Sequence, residues 1–206
     1  MAQEQIDEEK KRWEVGFGFG IEGFKVWVAR EIDRIGRLKR STEKERRFSF
    51  LKKGKNEPED SNYRELRNEF RAFLTGVRDN VNLYLWFALS ALAERNADRK
   101  YEAKVYHLFG DVTSTILLIQ QNFDPSLVTS DLLSFLKEKI TRIGSPGAFD
   151  LVGHASTITQ GDGDKRFMDS VGTLERMLTE IRMETSKYFK RDEEMEAAVA
   201  EAMKNR

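Results

Sequence analysis

Between Tyr63 and Leu92 the apolar residues fall at Tyr63, Leu66, Phe70, Phe73, Val77, Val81, Tyr84, Ala88 and Leu92, in unbroken steps of three and four. That period belongs to one face of an α-helix, and no pleated strand can hold it on one side. The second half, Leu83-Tyr84-Leu85-Trp86-Phe87-Ala88-Leu89, is apolar all round, which predicts burial on most sides. The same stepping recurs along the chain. Ile21, Phe24, Val28, Ile32, Ile35 and Leu38, with Trp27 beside them, predict a first helix reaching to about residue 53. Gly54, Asn56 and Pro58 punctuate, and Asp60-Ser61 supplies a cap for the next helix. Val105, Leu108, Val112, Ile116 and Ile119 mark a helix over 101–121. Asp124-Pro125 reads as N-cap and first helical residue of a helix carrying Leu127, Leu132, Phe135, Leu136, Ile140 and Ile143, closed by Gly144. Residues 148–163 leave room for one short helix. Phe167, Val171, Leu174, Leu178, Ile181 and Tyr188 mark the last one, over 164–191. No alternating β pattern and no hairpin turn between apolar runs is present.

The expected fold is therefore all-α, a bundle of five to six helices with a long basic N-terminal helix and charged terminal extensions. Residues 1–20 read as an arm, 21–191 as the bundle and 192–206 as an acidic tail. The absence of Cys among the 206 residues excludes disulfide scaffolds, zinc ribbons and thiol chemistry. The polar, acidic start Met1-Ala2-Gln3-Glu4-Gln5 lacks the features of a signal peptide. The longest apolar run, Val81 to Ala93, is interrupted by Asn82 and Ser90 and is well short of the ~20 residues that span a bilayer. These features lead us to expect a cytoplasmic location.

Thirty-five basic residues balance thirty-five acidic ones, but they are not mixed. Residues 30–55 hold eleven basic residues, Arg30, Arg34, Arg37, Lys39, Arg40, Lys44, Arg46, Arg47, Lys52, Lys53 and Lys55, against the acids Glu31, Asp33, Glu43 and Glu45. The acidic surplus lies elsewhere, partly in the tail. A helix with seven excess positive charges is a candidate polyanion site, with salt-dependent affinity from counterion release. Nucleic acid is the expected partner. The basic-aromatic run Arg46-Arg47-Phe48-Ser49-Phe50-Leu51-Lys52-Lys53 also has the character of segments that lie on anionic membranes, the runner-up reading, and phosphorylation of Ser49 would subtract charge there. A solvated helix face, or a face paired with the acidic tail, is the plain alternative.

Few motifs carry chemistry. Gly18-Phe19-Gly20-Ile21-Glu22-Gly23 spells G-x-G-x-x-G, but the preceding Lys10-Lys11-Arg12-Trp13-Glu14-Val15 is not a buried strand. Gly16, Gly20 and Gly23 instead form a smooth helical stripe, and Phe17, Phe19 and Phe24 make the segment a candidate self-association arm. His107 and His154 are the only imidazoles, and neither sits in Glu-x-x-His. Asp150 and His154 stand four apart, a spacing that one ion can bridge but that is common by chance; a core or surface histidine is the expected reading. Gly161-Asp162-Gly163-Asp164 lacks the glutamate of an EF-hand and reads as a turn and N-cap. No G-x-S-x-G is present; Ser156 lies two residues from His154. We expect no metal, no cofactor and no small-molecule substrate.

Arg95-Asn96 followed by Tyr101 is similar to the Arg-polar…His/Tyr signature of the HEPN family of helical ribonucleases. That resemblance implies an Arg95 acting on RNA phosphate. Lys100 or Tyr101 stands where the family has His, and His107 lies further on. The leading expectation is a non-enzymatic binding and assembly protein, a homo-oligomer or a subunit of a larger complex. A peripheral membrane or scaffold module and a HEPN-like ribonuclease are the alternatives.

Overall fold

The computed structural model describes residues 20–52 and 61–189, with side chains described for 20–44 and 63–189. Six α-helices and a 3-10 turn account for most of them: α1 Gly20–Lys52, α2 Ser61–Glu94, α3 Arg99–Asn122, the turn Pro125–Leu127, α4 Ser130–Thr141, α5 Leu151–Ser156 and α6 Gly163–Ser186. No strand occurs among the described residues, only an isolated bridge between Phe123 and Phe189. The all-α bundle is thus the observed fold.

The long helices close a ring in the order α1, α2, α3, α6, α4, and α4 returns to α1. α2 and α6 are not neighbours in that ring; the short α5 fills the space between them and touches both. At 33 and 34 residues, α1 and α2 each run about 50 Å at 1.5 Å per residue. Trp27 stacks on Phe73 and Lys39 lies over Tyr63, so the two helices are antiparallel. α2 and α3 are also antiparallel. Gln120 donates to the Arg71 carbonyl at 2.9 Å and to Thr75 Oγ1 at 2.8 Å, and Arg71 Nε donates back to the Gln120 carbonyl at 3.1 Å.

The 3.6-residue stripes meet in one core. A file of rings, Phe24, Trp27, Phe73, Phe70 and Phe123, runs from α1 through α2 to the end of α3, with neighbouring centroids 4.2 to 6.3 Å apart. All five are buried. Each such side chain contributes roughly 1.5–3 kcal/mol on leaving water, and offset rings add a little more.

Two expectations are corrected here. Asp124 does cap a Pro-initiated segment, accepting from the Ser126 N–H at 2.8 Å. The segment is a single 3-10 turn, however, and α4 starts afresh after Thr129, whose hydroxyl accepts from the Leu132 N–H. The break turns Leu127 outward, and Pro125 and Val128 fill the core instead. The second half of α2 is not buried on most sides: Leu83, Trp86 and Phe87 are 38, 54 and 41% exposed. The Asp150 carboxylate caps α5, accepting from the Gly153 N–H at 2.9 Å, while His154 Nδ1 pairs with Ser170 Oγ at 2.6 Å.

Tyr84 fastens α5 to α2. Its hydroxyl donates to the Phe149 carbonyl at 3.2 Å and accepts from the Val152 N–H at 3.3 Å. Burial pushes its ionisation well above the ordinary tyrosine range. Tyr84→Phe removes both bonds and leaves the half-buried Val152 N–H without this acceptor, so we expect a loss of about 1–3 kcal/mol in urea unfolding. An unchanged midpoint would mean that α5 is held by packing alone.

Candidate nucleic-acid interface

The basic residues of α1 divide by helical angle. Phe24, Trp27, Val28, Ile32 and Ile35 bury one side, so residues half a turn away must face water. Arg30, Arg37, Arg40 and Lys44 fall on that outer side and are exposed. Arg30 and Lys44 are separated by about 21 Å of helix axis. Arg37, Arg40 and Lys44 make no ion pair among the described residues. Arg30 lies 3.5 Å from the Glu31 carboxylate.

Two of the expected contacts are committed elsewhere. Arg34 pairs with Glu69 of α2 and lies 3.6 Å from Glu31. Lys39 is buried. Its ammonium donates to the Ser126 carbonyl at 2.8 Å, lies 3.3 Å from Glu43 and sits over the Tyr63 ring. It anchors the 3-10 turn to α1 and is out of reach of a partner. Hydropathy alone marks Lys39 as surface; its four-carbon stem lets it line the core edge and still deliver its charge to a carbonyl. The backbone of α1 continues helical through Arg46, Arg47 and Lys52, whose side chains lie outside the described residues, as do Lys53 and Lys55.

The acids that would cancel the stripe are largely occupied. Glu31 and Glu69 serve Arg34, Glu43 serves Lys39, and Asp33 lies 3.7 Å from Lys137 of α4. The exposed residues of this outer side, Arg30, Asp33, Arg37, Arg40 and Lys44, leave it with an excess of positive charge. The chain matches no family model, no curated protein and no solved structure. Its functional reading rests on this geometry.

Of the self-association arm, Phe17 and Phe19 lie outside the described residues. Phe24 lies inside the bundle, stacked on Trp27 with no exposed surface, so it belongs to the chain's own core and is not offered to a neighbour. The residue that looks outward there is Val26. A second apolar surface was not legible as such in the sequence. Trp86 of α2 sits edge-on to Phe109 of α3 at 5.5 Å, with Tyr106, Leu83 and Phe87 exposed around them.

The Arg95 motif is split by the fold. Asn96 takes the left-handed conformation that ends α2, and Asp98 caps α3. Arg95 is exposed. Tyr101 is buried edge-on against Phe167. Lys100 rests over the Tyr101 ring at 4.7 Å, and a hydrogen bond to that tyrosine pushes its pKa up. His154 and Ser170 form a close pair, but Ser170 has no exposed surface, so its hydroxyl joins α5 to α6 and presents no nucleophile. His107, Asp111 and Glu175 form the one group of potential metal ligands among the described residues. Sequence spacing shows His107 and Asp111 as a helical pair; nothing local announces Glu175, sixty-four residues further on.

Proposed function

We propose that the chain is a binding and assembly protein that holds a nucleic acid against the outer face of α1. The carrying observation is that Arg37, Arg40 and Lys44 face outward together without an ion pair among the described residues, while the neighbouring acids are engaged elsewhere. Cations tied to carboxylates release no counterions on meeting a phosphate; unpaired ones do. A stripe of about 21 Å spans about six phosphates of one strand at roughly 3.4 Å rise each. The decisive experiment is a gel shift with the full chain at low salt, repeated as salt is raised. A shift that fades with salt supports the reading, and no shift at low salt removes it. Sedimentation with anionic vesicles in the absence of any nucleic-acid shift would assign the same cations to a membrane.

Assembly rests on the apolar surface of α2 and α3. The register set by Trp27 on Phe73 and Lys39 over Tyr63 places Gly20 opposite the Asn80–Val81 turn of α2. The chain that carries Trp13, Phe17 and Phe19 thus departs from α1 at the level where Leu83 and Phe87 are exposed. Exchange of this segment between two copies would cover Leu83, Trp86 and Phe87 reciprocally, as a two-fold interface requires. Light scattering should then give a dimer, and Trp86→Glu should give a monomer whose helical circular dichroism is retained and whose melting temperature is lower, because the dimer no longer stabilises the folded chain. A wild-type monomer at all concentrations would remove the assembly half of the proposal and leave the α1 half standing.

A further inference from the structure

α3 and α6 run side by side in the same direction. Tyr101 meets Phe167 edge-on with centroids 5.5 Å apart, and further along Arg182 donates to the buried Thr115 hydroxyl at 2.8 Å. Between these two fixed points, His107 and Asp111 lie one turn apart on α3 and Glu175 reaches them from α6. One ligand atom from each, an imidazole nitrogen and two carboxylate oxygens, lies within 4.8 Å of the others. His107 Nε2 stands 3.6 Å from the Asp111 carboxylate. Two donors bound tetrahedrally at about 2.1 Å from one ion are about 3.4 Å apart, so this pair is already near ligand spacing.

The charges point the same way. Asp111 and Glu175 bring two carboxylates together from different helices, and a single imidazole is a weak counterweight. The adjacent Arg176 does not provide the missing cation, because its guanidinium donates to the Gly172 carbonyl and to Thr173 Oγ1 on its own helix. Lys104, one turn before His107, is exposed and makes no ion pair among the described residues. A dication between the three groups would relieve the repulsion, and helices hold the ligands more rigidly than loops do.

We infer that His107, Asp111 and Glu175 form a site for a divalent first-row metal ion of the zinc class, with water at its remaining positions. One imidazole with two carboxylates suits zinc, cobalt or nickel; magnesium and calcium prefer oxygen alone. The ion would clip α3 to α6 across the outside of the bundle.

The test uses the untagged full chain in metal-free buffer, titrated with Zn2+ by calorimetry and with Co2+ by visible absorption. The expected result is one ion per chain and a melting temperature that rises with metal. His107→Ala and Glu175→Gln should each weaken binding at least tenfold. His107 is exposed and Glu175 half-buried; Glu175→Gln also removes one of the two repelling carboxylates, so melting without metal should be no lower in that variant than in the wild type, which separates ligand loss from damage to the fold. The chain has only one other imidazole, that of His154, so the His107 result identifies the ligand. A wild-type chain that takes up neither ion, or binding that survives both substitutions, overturns the inference. Neither outcome bears on the α1 surface.

Discussion

Reversing Arg37, Arg40 and Lys44 together to Glu is expected to abolish the electrophoretic shift of nucleic acid at low salt, with stability changed by no more than about 0.5 kcal/mol per site. The three side chains are exposed and make no ion pair among the described residues, so their removal breaks nothing in the fold. If each meets one phosphate of a duplex, log affinity falls against log salt with a slope of about −2.7, and affinity drops roughly 40-fold between about 50 and 200 mM salt. A steeper slope would bring Arg46, Arg47 and the rest of the basic run into the contact. Lys39 is the internal control. Lys39→Glu places a carboxylate beside Glu43 and leaves the Ser126 carbonyl without its donor, so it should cost about 3 kcal/mol or more in stability. A basic patch defined by composition alone would predict that Lys39 and Arg40 behave alike. If they do, with equal effects on binding and none on folding, the division of the helix into inner and outer cations is wrong.

That division shows what the sequence could and could not carry. The α-helical period made α2 and the core face of α1 legible, because steps of three and four bring Leu66, Phe70, Phe73 and Val77 to one side whatever packs there. It could not say which sides would find a partner. Leu83, Trp86 and Phe87 belong to one apolar run, yet among the described residues no helix lies over that side of α2. The Pro125 turn was half legible: Asp124 is a true cap, but three residues of 3-10 geometry look the same in sequence as the first turn of an α-helix. The basic stripe was legible as charge and not as geometry, since the engagement of Arg34 by Glu69 and of Lys39 by Ser126 joins residues far apart in the chain. Glu175 was invisible for the same reason.

Two glycines of α6 give the sharpest test of the packing around α5. Gly163→Ala is expected to destabilise the chain by about 3 kcal/mol or more, and Gly172→Ala to stabilise it by up to about 1 kcal/mol, both by chemical denaturation. The residue types and the helix are the same; only the surroundings differ. Gly163 opens α6 and is buried where the chain leaving α5 crosses it. A methyl group there would stand 2.1 Å from the Thr157 carbonyl oxygen and 2.9 Å from Ile158 Cα. Both are backbone atoms, so no side-chain rotation relieves the overlap. Either the link between α5 and α6 moves or the first turn of α6 unwinds, and each choice disturbs Ile158 and Phe167 in the core. At Gly172 a Cβ would meet nothing within 4 Å, so the substitution keeps only the gain in helix propensity over glycine. An Asp162-Gly163 pair at a helix start suggests a cap, but the Asp162 side chain makes no capping bond and turns to Arg166 instead. The glycine of that pair is therefore required by the crossing of two backbone segments. If Gly163→Ala proves as harmless as Gly172→Ala, the segment leaving α5 does not press on the start of α6.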